Sequence, residues 1–260
     1  MRRTAPGNDQ EHTFDIKFID PEHSLGPFVE NIGMFHNRSD NAKAITLLPD
    51  GRIDLFFWKS ANQPFQIVLN ALETAPEQTS ISPHTLAFVI SFKPLALEYI
   101  LDAWQADYLN HSRVMPPDFW GFSLDDLANF DAFYQKISLK VQSLLPAKMD
   151  ERKRKLFDFI YESKGGLSVH DLSAQSCWSS RQINRYFNQR MGLSLKSYCS
   201  ILRFRESLQH IAKGKLFPEL NFSDQTHFIK EIKRLSGALP KTLSKNENDR
   251  FVLLSVLKQQ

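Results

Sequence analysis

The sequence predicts an α+β protein in which a β-rich N-terminal domain is followed by an all-α domain. Residues 44–92 carry short β-branched and aromatic runs separated by proline and glycine, which is typical of strands and turns. After Asp150 no segment alternates between apolar and polar residues, and the apolar residues recur at helical spacing instead. The charge changes at the same place, from 12 Lys/Arg and 19 Asp/Glu in residues 1–150 to 20 and 10 in residues 151–260. A basic module therefore follows an acidic one, which is typical of a chain whose second half meets a polyanion.

In the N-terminal half, the strand predictions start from the turn Pro49-Asp50-Gly51. It is flanked by Ala44–Leu48 and by Ile53–Trp58, and this arrangement predicts a β-hairpin. Two more runs, Phe65–Leu69 and Thr85–Phe92, have the spacing of strands in an antiparallel sandwich or barrel.

Two helices are predicted to end the acidic half. The first follows Pro94 and places Leu97, Ile100, Leu101 and Trp104 on one face. The second covers Phe130 to Leu145. Its apolar stripe fits either a core face within the chain or a dimer seam, and both alternatives stay open.

The linker between the halves is predicted at Pro146, Lys148 and the charge run of residues 151–155. We therefore expect a sensing or dimerisation domain at residues 1–147 and a helical domain at residues 148–260. The helical domain includes a C-terminal tail from residue 246 onward.

An internal repeat lies in the basic half. Residues 179–198 match residues 224–243 in chemical type at several positions when the two segments are offset by 45. Each copy begins with a residue that caps helix N-termini, Ser179 or Asp224, and each has a glycine that ends a helix, Gly192 or Gly237. Each copy therefore predicts a short helix with one buried apolar stripe.

The first copy is preceded by another helix start. Ser168-Val-His-Asp171 has the pattern of a capping box, and Leu172–Cys177 makes about two turns before the break at Trp178. Two short helices across a tight turn form a helix-turn-helix unit, whose second helix fits the major groove of DNA. Residues 195–213 predict one longer helix that joins the two copies.

Residues from about 152 to 245 resemble the DNA-binding domain of the AraC/XylS family of bacterial transcription regulators. The resemblance is carried by Phe222–Gly237 with Pro240, and by Trp178–Phe187 with Gly192 and Leu202–Leu208. The acidic half is similar to the cupin-like sensor domain that precedes such regulators, through Leu48–Phe57 and Ser91–Pro94. The resemblance implies a cupin-like domain followed by a tandem helix-turn-helix domain.

The sequence departs from the family pattern in two places. The segment between Gly214 and Asp224 is about four residues short, and Pro218 stands where the first helix of the second unit is expected. Proline in a helix interior costs about 3 kcal/mol, so this supporting helix is predicted to be a single turn or an irregular loop. Cys177 stands where the first unit's turn has a glycine-like residue.

The resemblance implies eight base-facing positions. They are Ser180, Arg181, Asn184 and Arg185 in the first reading helix, and Gln225, Thr226, Ile229 and Lys230 in the second. Arginine can contact guanine and asparagine can contact adenine through two hydrogen bonds each. Each of the eight could instead be a solvated helix residue or a phosphate contact.

Other function classes find little support in the residues. No apolar run approaches the roughly 18 residues of a membrane span, and polar residues 6–10 stand where a signal peptide would be apolar. His23, His36, His84 and His111 are too far apart for a ligand pair, and the two cysteines have no Cys/His cluster near them. We expect no cofactor, no metal and no catalytic activity.

The expected function is that of a cytoplasmic, sequence-specific DNA-binding transcription regulator. The expected partners are double-stranded DNA and a small-molecule effector at the N-terminal domain, without a membrane; a homodimer is compatible with the sequence. The alternative is a helical protein-interaction module, derived from an AraC-type domain, whose DNA reading has decayed.

Overall fold

The computed structural model describes residues 14–101, 109–217 and 222–259. Two antiparallel sheets form the N-terminal part. The six-stranded sheet has the order β1-β2-β7-β4-β5-β8, and β3 pairs with β6 in the second sheet. The strands are β1 (Phe14–Ile19), β2 (Val29–Asn37), β3 (Lys43–Leu47), β4 (Ile53–Lys59), β5 (Gln66–Asn70), β6 (Glu77–Ile81), β7 (Leu86–Phe92) and β8 (Ser112–Val114). The strand predictions at residues 65–69 and 85–92 are confirmed by β5 and β7.

The hairpin predicted around Pro49-Asp50-Gly51 is wrong. The two flanking strands exist as β3 and β4, but β3 pairs with β6, whereas β4 pairs with β5 and β7. The turn itself forms, with Gly51 at φ +78° and the Arg52 N–H donating to Asp50 Oδ1 at 3.0 Å. The turn therefore carries the chain from one sheet to the other. Strand partners distant in sequence decided the pairing, and a local turn signal does not contain that information.

The core of the N-terminal part lies between one face of the larger sheet and helix α2 (Phe130–Ser143). Residues Phe130, Phe133, Ile137 and Val141 of α2 are buried, and Phe133 contacts Phe57 with ring centroids 5.1 Å apart. The apolar stripe of the second predicted helix is therefore a core face of this chain, which settles the alternative left open above.

The described α-helices comprise two in the N-terminal part and those that make up most of the C-terminal part. They are α1 (Ala96–Tyr99), α2, α3 (Glu151–Glu162), α4 (Val169–Ser176), α5 (Ser180–Met191), α6 (Leu195–Ala212), α7 (Gln225–Ser236), α8 (Pro240–Lys245) and α9 (Val252–Gln259). Among the described residues up to 101, the helix expected after Pro94 is the single turn α1, and Trp104 of that prediction lies outside the described residues. The expected α+β class, with a β-rich part followed by a helical part, is confirmed.

The charge run of residues 151–155 is not part of the linker, contrary to expectation. Asp150 caps α3 by accepting a hydrogen bond from the Arg152 N–H at 2.9 Å, so these charges form the first turns of a helix. Their spacing puts Arg154 within 2.7 Å of Glu151, and such pairs stabilise a helix start. Residues 144–150 connect α2 to α3.

Helix α6 is the centre of the helical part. It packs against α5, α7, α8 and α9, and Tyr198, Phe204 and Leu208 on it are buried. The C-terminal tail returns over both parts of the chain: α9 packs against α6 and β3, and the Thr46 N–H donates to the Arg250 carbonyl at 2.6 Å. The tail therefore ties the smaller sheet to α6.

Candidate nucleic-acid interface

The first helix-turn-helix unit consists of α4, a tight turn and α5. The Ser168 hydroxyl accepts the Asp171 N–H at 3.1 Å and so caps α4, as predicted. The turn bends at Cys177, which has φ +53°, a left-handed conformation that glycine adopts most easily. Ser179 then begins α5 with a capping box: its hydroxyl accepts the Gln182 N–H at 3.3 Å, and the Gln182 side chain accepts the Ser179 N–H at 3.2 Å. These local bonds fix the direction in which α5 leaves the turn.

Helix α5 buries one face and leaves its cationic face in solvent. Ile183 and Phe187 are fully buried against the helical core. Arg181 and Arg185 are exposed, and neither has an ion pair within the part of the chain that the structure describes. Two guanidinium groups one helical turn apart are therefore available to a partner.

Ser180 and Asn184, the other two candidates on this helix, are half-buried. The Asn184 Nδ2 atom donates to the Ser180 carbonyl at 3.0 Å, so its amide group is bonded to its own helix. This bond uses one of the two Nδ2 hydrogens of Asn184 and leaves its Oδ1 atom and the second hydrogen for other contacts. The structure thus separates the four candidates of α5 into two exposed arginines and two half-buried polar residues.

A groove of about 350 Å³ runs beside α5. It is lined by Arg152 and Lys153 of α3, by Trp178 of the turn and by Arg185 of α5, among others. Arg152 is paired with Asp150 at 2.8 Å and lies over the Trp178 ring at 5.7 Å. Cations from two helices therefore face the same groove, an arrangement suited to a phosphate backbone.

The second candidate reading helix is α7. It has 12 residues like α5, begins and ends 45 positions later, and is followed by Gly237 at φ +71° where α5 is followed by Gly192 at φ +70°. Asp224 caps it by accepting the His227 N–H at 2.8 Å, and this bond lowers the pKa of the Asp224 carboxyl. The repeat predicted from the sequence is confirmed at its start, its length and its end.

The candidates on α7 are less available than those on α5. The Gln225 Nε2 atom donates to the Leu216 carbonyl at 3.1 Å, and Ile229 packs against the helical core. Thr226 and Lys230 are exposed. The described residues 214–217 and 222–224 before α7 contain no helix, and Pro218 lies outside the described residues.

Side chains on α6 fix the position of α7. The Ser200 hydroxyl donates to Glu231, whose carboxylate also accepts from Arg234 at 2.8 Å. The Arg234 hydrogen bond lowers the pKa of Glu231 to about 2 despite its partial burial. An ionised, bonded Glu231 therefore holds α7 onto the helix that also carries α5.

A cluster of charges joins α6 to the β-rich part, and sequence reasoning missed it. Arg205 of α6 pairs with Glu30 of β2, and Glu30 also pairs with Arg52 at 3.1 Å and Lys93 at 3.6 Å. Burial alone would raise the pKa of Glu30, but the charges of Arg205 and Arg52 lower it to about 2. Glu30 and Arg205 are 175 positions apart, so no local pattern pointed to this ion pair.

The Asp50–Gly51 turn is a second contact between the parts. The Tyr198 hydroxyl of α6 donates to the Gly51 carbonyl at 3.2 Å, and it also bonds the Tyr161 hydroxyl at 3.0 Å. A Cβ atom at Gly51 would lie 3.2 Å from both Tyr198 and Leu202. Glycine therefore suits this position in two ways, because it adopts the positive φ without strain and lets the turn approach α6 closely.

Neither a metal-binding cluster nor a membrane-spanning helix occurs in the described ranges. No group of three His, Cys, Asp or Glu side chains there could hold a metal ion. None of the helices described combines the length and apolarity that a bilayer span requires. Cys177 is exposed and Cys199 is buried, and both are free thiols.

The described residues define a two-part α+β protein with one complete helix-turn-helix unit and a second capped helix at the repeat distance. No family model and no curated protein matches this chain. Among solved structures it is similar to ToxT from Vibrio cholerae, at 12% identity and a TM-score of 0.46, over 90% of this chain and 98% of that chain. A second structure of ToxT, with a bound unsaturated fatty acid, is similar at 11% identity and a TM-score of 0.41, over 93% of this chain and 96% of that chain.

Proposed function

We propose that this protein is a sequence-specific DNA-binding transcription regulator. In this proposal residues 148–260 bind DNA and residues 1–147 sense an effector or mediate dimerisation. The observation that carries it is the pair of capped 12-residue helices, α5 and α7, both held on α6. No catalytic step is part of the proposal.

The first reading helix supplies the base contacts. Arg181 and Arg185 are exposed on the N-terminal half of α5, the half that enters the major groove in helix-turn-helix proteins. Arginine there can donate two hydrogen bonds to guanine O6 and N7, worth about 1–3 kcal/mol of discrimination against a wrong base. Ser180 and Asn184 contribute by positioning the helix or by contacting the backbone.

The second reading helix contributes mainly contacts to the phosphate backbone of DNA. Lys230 and Thr226 are its exposed candidates, and they suit phosphate contacts, while Gln225 and Ile229 are engaged within the chain. Two reading helices held on α6 suit two successive major grooves of DNA. This spacing corresponds to a binding site of about 17–20 base pairs.

In this proposal the β-rich part controls the orientation of the two reading helices. It contacts α6 through Glu30 and Gly51, and α6 carries both reading helices. An effector bound near these contacts, or a change of dimer state, would alter the orientation of the readers and therefore the affinity for DNA.

A second candidate function is a helical protein-interaction module whose DNA reading has decayed. The observation that favours it is the second unit, where Gln225 is tied to Leu216 and no helix is described between residues 213 and 225. The two functions differ in salt dependence, because only a polyanion partner releases many condensed counterions.

The test is selection of bound sequences from a random duplex pool, followed by salt titration of the winner. We expect one enriched sequence, and a log–log slope of about −0.9 for each phosphate contact. Arg181→Ala should weaken binding to that sequence, whereas Arg38→Ala, at an exposed arginine of the β-rich part, should not. Recovery of no enriched sequence by the intact chain would refute the regulator and favour the interaction module.

A further inference from the structure

A cavity of about 380 Å³ lies between the two sheets and the helices α6 and α9. One wall is the face of the larger sheet that does not contact α2. The opposite side is formed by Thr46 and Leu48 near β3, by Gln209 of α6, and by Leu253 and Leu257 of α9. An occupant would thus touch both parts of the protein at once.

A row of polar side chains crosses the sheet at one end of the cavity. The strand register places Asn31 opposite Ser91, Ser91 opposite Asp54, and Asp54 opposite Asn70. All four line the cavity, because residues paired in register share one face of a sheet. The row therefore presents two amides, a hydroxyl and a carboxyl to the same space.

The other end of the cavity is apolar. Two positions along the strands from the polar row, the same face carries Val89 and Phe56, which are paired in register. Phe35 and Phe18 extend this wall, with ring centroids 5.5 Å apart, and Phe56 lies 6.3 Å from Phe35. The cavity thus has a hydrogen-bonding end and an aromatic end.

The charges at the polar end are not balanced. Arg205 and Arg52 pair with Glu30, and Arg52 Nε also lies 3.5 Å from Asp50. Asp54 has no ion pair among the described residues. Both arginines therefore pair with acids, although the Arg52 Nε–H makes no hydrogen bond, and the Asp54 carboxyl has no ion-pair partner.

Two buried acceptor atoms at this end lack hydrogen-bond partners in the described structure, Asp54 Oδ1 and Asn31 Oδ1. Asp54 is half-buried by area because one side of it faces the cavity. An unbonded buried acceptor costs about 1–3 kcal/mol, so a ligand that donates hydrogen bonds to these two oxygens would be stabilised here. The Arg52 Nε–H, a buried donor of the same lining, is also without a hydrogen-bond partner.

The titration of two acids agrees with this geometry. Burial, and next the charge of Asp50, raise the pKa of Asp54 to about 7, although Ser91, Arg52 and Arg205 act in the opposite direction. Burial, with the charges of Asp50, Asp54 and Glu77, raises the pKa of Glu73 to about 8. At neutral pH these two acids therefore hold protons that a bound cation would displace.

We infer that this cavity binds a small primary ammonium ligand with an apolar tail, its ammonium on Asp54 and Asn31 and its tail against Phe56 and Phe35. An ammonium group has three donors and no acceptor, which matches the unbonded Oδ1 atoms of Asn31 and Asp54, the latter on the carboxyl without an ion pair. A carboxylate ligand has no donor for these two atoms. That such a ligand regulates DNA binding rests on the proposed function; that it binds does not.

The test uses three probes of equal length on the full chain by titration calorimetry: hexylamine, 1-hexanol and hexanoate. We expect hexylamine to bind at least about tenfold more tightly than the other two, since a hydrogen bond between charged groups is worth more than a neutral one. At about pH 7 its binding should release protons, so the measured heat should change with the ionisation enthalpy of the buffer.

Asp54→Asn should weaken hexylamine binding by about tenfold to a hundredfold. Asp20→Asn, which removes the same charge from the exposed rim of the cavity, should leave it unchanged. Folding of the Asp54→Asn variant has its own readout. The folded pKa of Asp54 is raised, so wild-type stability falls as pH rises from about 4 to about 7, and the variant should lack this part of the fall.

Equal binding of hexylamine and 1-hexanol, preference for hexanoate, no binding of hexylamine at millimolar concentration, or an unchanged affinity of Asp54→Asn would each overturn the inference. The titration contains no DNA. A chain that binds hexylamine but no duplex would overturn only the proposed function, and a chain that binds duplex but no hexylamine would overturn only this inference.

Discussion

Helices α5 and α7 have the same length and the same kinds of helix end, but different elements precede them. Both have 12 residues, a side-chain cap at the N-terminus and a left-handed glycine at the C-terminus. α5 is preceded by helix α4 and a defined turn, and α7 is preceded by residues without helix in the described structure. The copies therefore share what local sequence sets and differ in what neighbouring elements supply.

The difference extends to the exposed faces. α5 presents Arg181 and Arg185 free of ion pairs in the described structure, while α7 keeps Gln225 and Ile229 engaged and presents Lys230. A duplicated helix can thus keep its shape and lose part of its reading surface. Substitutions at matched positions of α5 and α7 measure how much the two exposed faces differ in their contribution.

The largest effect is expected from the buried aromatic residue of each helix. Phe187→Ala should lower the free energy of unfolding by about 3–5 kcal/mol, because the fully buried ring packs against Phe157 and Tyr198. Phe228→Ala should cost less, since its ring neighbour Phe222 is itself only half-buried. Urea denaturation measures both, with the exposed Phe217→Ala as the unchanged control. A loss at Phe228 equal to that at Phe187 would mean that the second helix is as firmly supported as the first.

The next effect concerns DNA and depends on the proposed function. Arg185→Ala should cost about 1–3 kcal/mol on the selected sequence and relax the preference at one base position. Lys230→Ala should weaken binding to all sequences alike and reduce the salt slope by about one phosphate contact. Binding assays on single-base variants of the site separate the two outcomes. If Lys230→Ala instead relaxes one base position, α7 reads sequence as α5 does.

A smaller effect is expected at the turn between α4 and α5, which has no counterpart among the described residues before α7. Cys177 adopts φ +53°, which costs a residue with a side chain about 1–2 kcal/mol, and glycine recovers part of this after its own unfolded-state entropy. Cys177→Gly should therefore raise the free energy of unfolding by about 0.5 kcal/mol, and Cys177→Val should lower it. Denaturation of the two variants beside wild type tests this, and a stabilising valine would show that the turn is not left-handed in solution.

The smallest effect distinguishes the two caps by pH. The pKa of Asp224 is lowered in the folded chain, so its cap stabilises α7 above the unfolded value of 3.8 and loses this effect as pH falls below it. The hydroxyl of Ser179 does not ionise. The destabilisation caused by Asp224→Ala should therefore shrink between about pH 6 and about pH 3, whereas that of Ser179→Ala stays constant. Unfolding curves at both pH values measure the difference, and parallel behaviour of the two variants would contradict it.

Much of the helical part was predictable because helix ends are local. Ser179 and Gln182 are three positions apart, as are Asp224 and His227, so a cap is visible in a few residues of sequence. The predicted helix at residues 195–213 and the observed α6 differ by one residue. The hairpin prediction failed for the opposite reason, since β3 pairs with the distant strand β6 and not with the adjacent β4.

The sequence located the eight candidate base-facing residues. It did not show which of their side chains are exposed and which are bonded within the chain. Only the folded chain shows that Asn184 bonds Ser180, that Gln225 bonds Leu216, and that Arg185 is exposed. Whether they contact DNA stays a prediction. The cavity has no signal in the sequence at all, because its polar row draws one residue from each of four strands.

The sequence by itself determined where the short helices begin and end, that they come in two copies, and that the basic half carries them. These features follow from caps, glycines and apolar spacing, which act over three to five residues. The tertiary structure decided which strands pair, which candidate readers are free, and that unpaired acceptors face a cavity beneath α6 and α9. Those outcomes depend on contacts between residues tens of positions apart, and such contacts exist only once the chain has folded.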